Sequence, residues 1–387
     1  MKRFLKLKEF KLGSSYFLFG ARGTGKSSWL KKNFPDAIYL DLLDNILYRD
    51  LSLQRRAIKD YIPEKNRGWV IVDEVQRVPE LLNEVHKLIE SGNNSFILTS
   101  SSIRSLRSKG TNLLGGRAIV KYMHPFIAEE LGKDYNFLKS LKLGLVPLIY
   151  MSKNPEQQLY GYIETFVKEE VAKEGLLRNL DSFNYFLELA SFSQGQPANK
   201  SKIASEIGVS QKTVQNYFDI IEDLLLGMFI PVFTKRSKRR LPKQPKFYFF
   251  DVGIYQALRP RGFLDSLEEI DGPALETLFL QHIYAINRYN NLQYKIYYWR
   301  TTNGAEVDFI LYGPRGFFAI EIKRTKKISK YDIKNIKSFQ KDYPEVKPII
   351  LYGGEYRLYI EGIEVLPMEE TLKNLSVVLK NADHECS

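Results

Sequence analysis

The sequence of 387 residues predicts an α/β protein with more than one domain, and three observations carry that expectation. The first 125 residues alternate short apolar runs with helical stretches, as a buried parallel sheet requires. The first of those runs, Tyr16–Phe19, leads directly into Gly20-Ala21-Arg22-Gly23-Thr24-Gly25-Lys26-Ser27, which fits G-x-x-x-x-G-K-[ST]. Near the other end, strand-like runs broken at Asn303-Gly304 and Gly313-Pro314 carry two carboxylates and a lysine in the order D-x12-E-x-K.

Composition bounds the alternatives. Lys and Arg total 57 against 45 Asp and Glu, a formal charge of +12, and 44% of residues are hydrophobic. A chain of this length forms at least two cores, and its Gly and Pro content excludes collagenous, mucin-like and wholly disordered classes. The single cysteine, Cys386, allows neither an intrachain disulfide nor a cysteine-based metal site. The basic start (Lys2, Arg3, Lys6, Lys8, Lys11) lacks the apolar core of a signal peptide. The longest uncharged apolar run, Leu143–Met151, is far below the roughly 18 residues that span a bilayer. The expectation is a reduced, cytoplasmic, soluble protein without a membrane partner. Its charge is uneven: net +9 over residues 1–180, +5 over 181–262 and −2 over 263–387.

Within residues 1–125 the strand candidates are Tyr16–Phe19, Ile38–Leu40, Trp69–Val72, Phe96–Leu98 and Ala118–Val120. Gly20, Gly23, Thr24 and Gly25 let the backbone curl so that successive N–H groups face a phosphate at the start of a helix. That makes ATP and Mg²⁺ the expected ligands. Lys26 would neutralise the β and γ oxygens, Ser27 would ligate Mg²⁺, and Ser28 follows in the helix that leaves the loop. Trp69-Val70-Ile71-Val72 ends in Asp73-Glu74, where Asp73 would hold Mg²⁺ through water and Glu74 would orient the attacking water. A third strand ends in Thr99-Ser100-Ser101, either a contact to the γ-phosphate or attacking water, or a polar turn. Arg117, after Gly115-Gly116, is the candidate charge-stabilising arginine, on its own nucleotide or on that of a neighbouring copy in a homo-oligomer. Arg104 and Arg107 are its rivals.

These residues together resemble the AAA-type ATPases of bacteria and archaea that carry a C-terminal domain of unknown function. The resemblance rests on the loop, the Val-Asp-Glu strand, Leu98-Thr99-Ser100-Ser101, and Arg117 followed by His124-Pro125-Phe126. It extends to Lys246-Phe247-Tyr248-Phe249-Phe250-Asp251-Val252-Gly253 and Tyr298-Trp299-Arg300, and so spans nearly the whole chain. Ser100 stands where that family commonly has Gly, and Pro125-Phe126-Ile127 replaces its usual Pro-Leu-Ser-Phe. The resemblance implies a P-loop ATPase core over residues 1–125, a helical lid over 126–182 and a winged helix over 183–262. The last part, 263–387, is expected to be a nuclease-like domain.

Lys200–Ile207 reads as a helix, Gly208-Val209-Ser210 as a tight turn with Ser210 as N-cap, and Gln211–Glu222 as a second helix. Ile203, Ala204, Ile207, Val209, Val214 and Phe218 face inward, and Gln211, Lys212, Gln215 and Asn216 face out. This is the layout of a helix-turn-helix whose second helix can enter a DNA groove or pack against protein. The following basic loop, residues 235–246, holds seven basic residues in twelve positions and no acid. Such a hairpin wing suits phosphate oxygens, and DNA is the expected partner.

In the C-terminal part, Asp308 and Glu321 are expected on adjacent strands, with Glu321 and Lys323 on one face. This is the pattern of restriction-endonuclease-like (PD-(D/E)xK) nucleases. There two carboxylates hold Mg²⁺ and the lysine positions or deprotonates a water. Glu276, on a preceding helix Pro273–Arg288, matches the accessory acid of such folds. Lys326, Lys327 and Lys330 form a basic rim. The combined expectation is a Mg²⁺-dependent ATP hydrolase whose nucleotide state controls DNA binding and a metal-dependent nuclease domain. The alternative is an ATP-governed switch or DNA/protein-binding module in which the nuclease fold is catalytically silent.

Overall fold

The structure, a computed structural model, describes residues 3–92, 94–103, 106, 114–167, 180–234, 244–262 and 267–380. Its contacts divide them into two compact units, residues 3–124 with 219–226, and residues 125–218 with 227–387. The expected lid, helix-turn-helix and C-terminal segments thus belong to one unit, apart from Asp219–Leu226.

The N-terminal unit is built on a five-stranded parallel sheet: β1 (Ser15–Phe19), β2 (Ile38–Asp41), β3 (Trp69–Asp73), β4 (Ser95–Ser100) and β5 (Ala118–Tyr122), in the order β2-β3-β4-β1-β5. The three central strands are buried almost end to end, which explains their unbroken apolar wording. Helices α1 (Lys26–Asn33), α2 (Asn45–Leu53) and α3 (Leu81–Glu90) connect them. One core gathers Phe17, Phe19, Val70, Val72, Phe96 and Leu98 with Leu51, Leu82 and Val85 of the helices. Phe10, Tyr16, Trp29, Phe34 and Trp69 form a chain of ring contacts, with centroids 4.7–6.0 Å apart. Because β4 lies between β1 and β3, its end stands beside the ends of both: Phe19 pairs with Ser100, and Val72 with Leu98.

The C-terminal unit begins with short helices: α4 (Ala128–Leu131), α5 (Phe137–Leu143), α6 (Pro147–Tyr150) and α7 (Pro155–Gly161), the last running into a wider turn over Tyr162–Val167. Next come α8 (Leu180–Phe192), strand β6 (Gln196–Pro197), α9 (Lys200–Ile207), α10 (Gln211–Asp223) and strands β7 (Gly227–Ile230) and β8 (Lys246–Phe249). The three strands form an antiparallel sheet in the order β6-β8-β7. Helices α11 (Val252–Leu258) and α12 (Leu267–Tyr289) lead to a six-stranded mixed sheet. Its strands are β9 (Lys295–Arg300), β10 (Glu306–Gly313), β11 (Gly316–Lys323), β12 (Lys347–Tyr352), β13 (Leu358–Ile360) and β14 (Ile363–Pro367), ordered β13-β14-β12-β11-β10-β9. Helix α13 (Lys334–Asp342) packs Ile336 and Phe339 on Trp299, Val307, Ile310 and Ala319 of the sheet. Helices α14 (Met368–Lys373) and α15 (Leu375–Val378) close the described chain. The pairing of β9 with β10 shifts between Val307 and Ile310, a bulge beside Asp308.

Two polar contacts bind the helices of this unit together. Asp251 caps α11, taking N–H bonds from Gly253 (2.9 Å) and Ile254 (3.3 Å), and its other oxygen takes the Leu145 N–H at 2.8 Å. Gly253 is required there, because a Cβ would lie 2.2 Å from the Leu143 carbonyl oxygen. His282, fully buried on α12, accepts the Ala128 N–H at Nε2 (2.9 Å), which leaves Nδ1–H to donate to the Leu278 carbonyl at 2.7 Å. Burial holds its pKa down to about 4, against an opposing pull from the Leu278 carbonyl. The unfolded chain therefore binds the extra proton first, and stability falls as pH drops from about 6.5 to about 4. At ~1.36 kcal/mol per pKa unit, the loss across that window is about 3 kcal/mol. Denaturant titrations of wild type and His282→Gln at pH 7.5 and 4.5 should show a steeper loss in wild type; equal losses would remove His282 as the cause.

Candidate active site

Beyond Phe19 the chain turns at Gly20, where a Cβ would strike the Met123 carbonyl oxygen at 2.4 Å. Gly23 and Gly25 have φ of 78° and 91°, a left-handed conformation that glycine adopts without penalty. Helix α1 starts at Lys26 directly after Gly25, so its first N–H groups face back into the loop. Lys26 is buried and donates from Nζ to the Gly20 carbonyl at 2.6 Å; Thr24 Oγ1 donates to the Ala21 carbonyl at 2.7 Å. Ser27 is partly buried and Ser28 exposed in the first turn of α1. The loop fits a polyphosphate: side chains are absent where they would fill the cradle, and the lysine lies within it.

Asp73 and Glu74 stand at the end of β3, where ligands meet parallel sheets. The buried Asp73 carboxylate accepts hydroxyl bonds on both oxygens, from Tyr39 of β2 and from Thr99 of β4. Thr99 does more than the sequence suggests: the same Oγ1 accepts the Glu74 N–H at 2.9 Å. That bond holds Glu74 in a left-handed conformation with φ 59°, strained for a residue with a Cβ. The Glu74 carboxylate takes bonds from Gln76 and, at 3.2 Å, from Ser101 Oγ. Ser100 instead folds onto the Ser102 backbone. The polar end of β4 therefore positions the two acids. Tyr39, which sequence reasoning missed, also contacts the Ser27 hydroxyl, so one phenol links both expected Mg²⁺ ligands. Burial and the Asp73 charge push its pKa upward, keeping it a neutral donor.

A second polar cluster lies in the C-terminal unit. Continuing the β10–β11 register from Phe309↔Ile320 sets Asp308 across from Glu321. Both are buried, and Asp308 Oδ2 accepts the Ile322 N–H at 2.8 Å. Lys323 Nζ donates to Glu321 Oε1 at 2.7 Å, while Oε2 is buried with no partner among the described residues. Burial first, then the neighbouring Asp308 charge, raises the Glu321 pKa well above the carboxylate range. Burial likewise raises Asp308.

Two expectations are corrected at this cluster. Lys246 is the first residue of β8 and has no solvent exposure, so it is not offered to phosphate oxygens with the rest of the basic loop. Its ammonium ion-pairs with Glu306 and lies 4.0 Å from Glu276. Glu276, expected as a third metal ligand, is drawn to that lysine and accepts the Tyr248 hydroxyl at 2.6 Å. Burial, chiefly, raises its pKa to about 7. Among the described residues no three His, Cys, Asp or Glu side chains converge closely enough to enclose an ion. The fit to a divalent cation is confined to Asp308 and the unpartnered oxygen of Glu321. Gln194 fixes the elements around Glu276, donating to Thr277 Oγ1 at 2.6 Å and accepting the Phe249 N–H at 3.0 Å.

Comparison with known proteins separates these sites. Residues 13–132 match the AAA domain family, residues 136–265 a domain of unknown function (DUF8612), and residues 271–371 another domain of unknown function (DUF4143). The first match covers the phosphate loop and both acids of β3. An uncharacterized protein of Mycobacterium tuberculosis is 26% identical over 320 residues, covering 80% of this chain and 70% of its own. One of Methanocaldococcus jannaschii is 24% identical over 377 residues, covering 87% and 82%. The Aeropyrum pernix ORC1 protein, solved in complex with DNA, is 14% identical, covering 63% of this chain and 86% of its own. Its TM-score of 0.26 is too low to support any inference.

Within the AAA domain Arg117 requires correction. It immediately precedes Ala118, which pairs with Ser15 at the start of β1, whereas the loop follows Phe19 at the other end of that strand. Four residue steps at ~3.3 Å separate those ends, roughly 13 Å. Its guanidinium pairs with Glu90 at 2.9 Å. Arg117 is therefore not brought to the nucleotide loop of its own chain. Arg104 and Arg107 lie outside the described residues, as does Cys386.

In the C-terminal unit, Ser210 caps α10 by accepting the Thr213 N–H at 3.1 Å, and Gly208 ends α9 with φ 76°. Ile203, Ala204, Val214 and Phe218 are buried, Ile207 and Val209 half-buried, and Gln211, Lys212 and Asn216 exposed. Gln215 is only partly exposed and is bonded by Lys200. The basic residues 235–243 lie outside the described residues, and Lys326, Lys327 and Lys330 are exposed.

Thr99→Val keeps the shape of the side chain and removes the hydroxyl that serves Asp73 and Glu74. Leaving those buried groups unpaired should cost about 1–3 kcal/mol. Urea unfolding of the AAA domain in the full chain measures it; an unchanged midpoint would show that the hydroxyl does not carry this load.

Proposed function

We propose that the chain is an ATP hydrolase whose nucleotide state controls DNA contact and a metal-dependent nuclease-like domain. The observation that carries the hydrolase reading is the pair Asp73–Glu74, held by Thr99 beside the phosphate loop. The loop N–H groups and Lys26 would bind the β- and γ-phosphates. Ser27 and Asp73 would hold Mg²⁺, which supplies charge neutralisation on the phosphate oxygens when bound. Glu74 is then the group that orients water, steadied by Gln76 and Ser101. Lys26→Ala and Glu74→Gln should each reduce ATP turnover at least 100-fold. Phosphate release with saturating Mg·ATP measures it, and full turnover in Glu74→Gln would refute the base assignment.

The helix pair α9–α10 and the strands β7–β8 after it support a winged helix; the basic residues 235–243 of its expected wing lie outside the described residues. Its basic residues and the exposed Gln211, Lys212 and Asn216 suit a DNA backbone and groove. An arginine supplied by a neighbouring copy would make a homo-oligomer the active form, and Arg117, remote from its own loop, is a candidate. No helix among the described residues is long and apolar enough to cross a membrane. The one cysteine agrees with a reducing cytoplasmic location.

For the C-terminal domain, the facing Asp308 and Glu321 with Lys323 support a nuclease-like site. A divalent ion held by the two acids would acidify a water and steady charge on a phosphate. Lys323 would position that water. The neutralisation of Glu276 and Glu306 by Lys246 favours a second reading, an ATP-governed switch with a silent nuclease fold. Plasmid cleavage with Mg²⁺ or Mn²⁺, with and without ATP, separates the two. The nuclease reading expects cutting by wild type and none by Glu321→Ala; no cutting by wild type under any nucleotide condition establishes the switch.

A further inference from the structure

Lys246, the last basic residue of the 235–246 stretch, points inward. Its backbone is fixed from both sides of β8, opposite Ile230 of β7 and Pro197 of β6. The ammonium meets Glu306, stands 4.0 Å from Glu276 and lies 5.3 Å from the Tyr298 ring centre. Arg300 Nε reaches Glu306 from the more exposed side at 3.4 Å. The Glu276 and Glu306 carboxylates are thus already met by cations of the chain itself. Asp308 feels the charges of Lys246 and Lys323 outside ion-pair contact with either, and its Oδ2 accepts the Ile322 N–H. Glu321 is 3% exposed, has Lys323 on one oxygen, and keeps the other buried and unpartnered among the described residues.

We propose that Lys246 is a built-in cation of this cluster: it fills the Glu276–Glu306 half and leaves the Asp308–Glu321 half for a single divalent ion. The charge count agrees. With all four carboxylates ionised, the state that a bound metal selects, Lys246 and Lys323 leave two negative charges, which one divalent ion cancels; a second would carry the cluster to +2, against +1 once Lys246 is removed. An ammonium held by two acids also costs less to keep in place than a hydrated dication, which must shed water to enter. This inference rests on the metal-binding reading of Asp308 and Glu321, and its test is arranged so that the two fail separately.

Mn²⁺ is titrated into the full chain without nucleotide, followed by calorimetry, electron paramagnetic resonance and thermal unfolding. Wild type should bind one ion that Glu321→Gln abolishes, with the spectrum of an isolated Mn²⁺. Lys246→Met should bind one ion more, with a spin-coupled spectrum from two ions in one cluster. Without metal that variant should unfold at lower temperature than wild type, and saturating Mn²⁺ should restore the midpoint. One uncoupled ion and no restoration would make Lys246 a structural residue only and overturn the proposal while leaving the metal site standing. A wild type with no ion sensitive to Glu321→Gln overturns the metal reading and the proposal with it. If Lys246→Met does not fold, Glu306→Gln decides: it frees the ammonium to oppose the single ion, whose affinity should fall about 10-fold or more. An unchanged affinity there overturns the proposal.

Discussion

Lys26, Asp73, Lys246, Asp251 and Glu321 carry ionisable groups to places where at most 4% of their surface remains exposed. A charge so placed has to be answered by a dipole or an opposite charge, because desolvation otherwise exceeds anything packing returns. The answers differ in kind. Lys26 is met by a carbonyl of its own loop, Asp73 by two hydroxyls, and Asp251 by backbone N–H groups at a helix start. Lys246 is met by carboxylates. Asp73 and Lys246 are answered wholly from other strands and helices, so the arrangement of elements around those two is bound to their neutralisation.

The consequence for energetics is asymmetry. Forming such an arrangement adds little to net stability, whereas removing one partner leaves a buried group exposed to the full penalty. Neutral hydroxyls around Asp73 leave its charge available to a cation, and their orientation can reverse without moving the backbone. Lysines around Glu276 and Glu321 do more, since they cancel charge outright. The two sites therefore hold anionic side chains at different residual potential. Hydroxyls surround Asp73, whereas two lysines already stand within the C-terminal cluster.

Much of the fold was legible because buried parallel strands are written as uninterrupted apolar runs. Tyr16–Phe19, Ile38–Leu40 and Trp69–Val72 fall within observed strands, and Lys200–Ile207 is a helix as its cap and turn residues suggest. The phosphate loop was legible for a different reason: its glycines answer a backbone requirement that few other sequences meet. Arg117 was not, since a strand's position in the sheet, and hence which end its first residue occupies, depends on long-range pairing that local wording omits. Lys246 was misread because counting charge in a basic run treats all members as solvated. Its signal was the aromatic run Phe247–Phe250 directly behind it, which extends the strand back to the lysine. Tyr39 gave almost no signal and Thr99 only that of a polar strand end, because a hydroxyl's role depends on which acid the neighbouring strand brings to it.

The shifted pairing between Val307 and Ile310 has an implication for how this stretch tolerates change. In a regular strand two residues three apart point to opposite faces, yet Val307 and Ile310 contribute to one core with Trp299 and Ala319. The extra residue lets the strand change phase there, keeping Val307 inside while Asp308 stands opposite Glu321. Loss of a single residue from this stretch would force a choice between the oily side and the acid. What is encoded between Arg300 and Ile310 is thus a count as much as a composition, and exchange of letters is the milder insult.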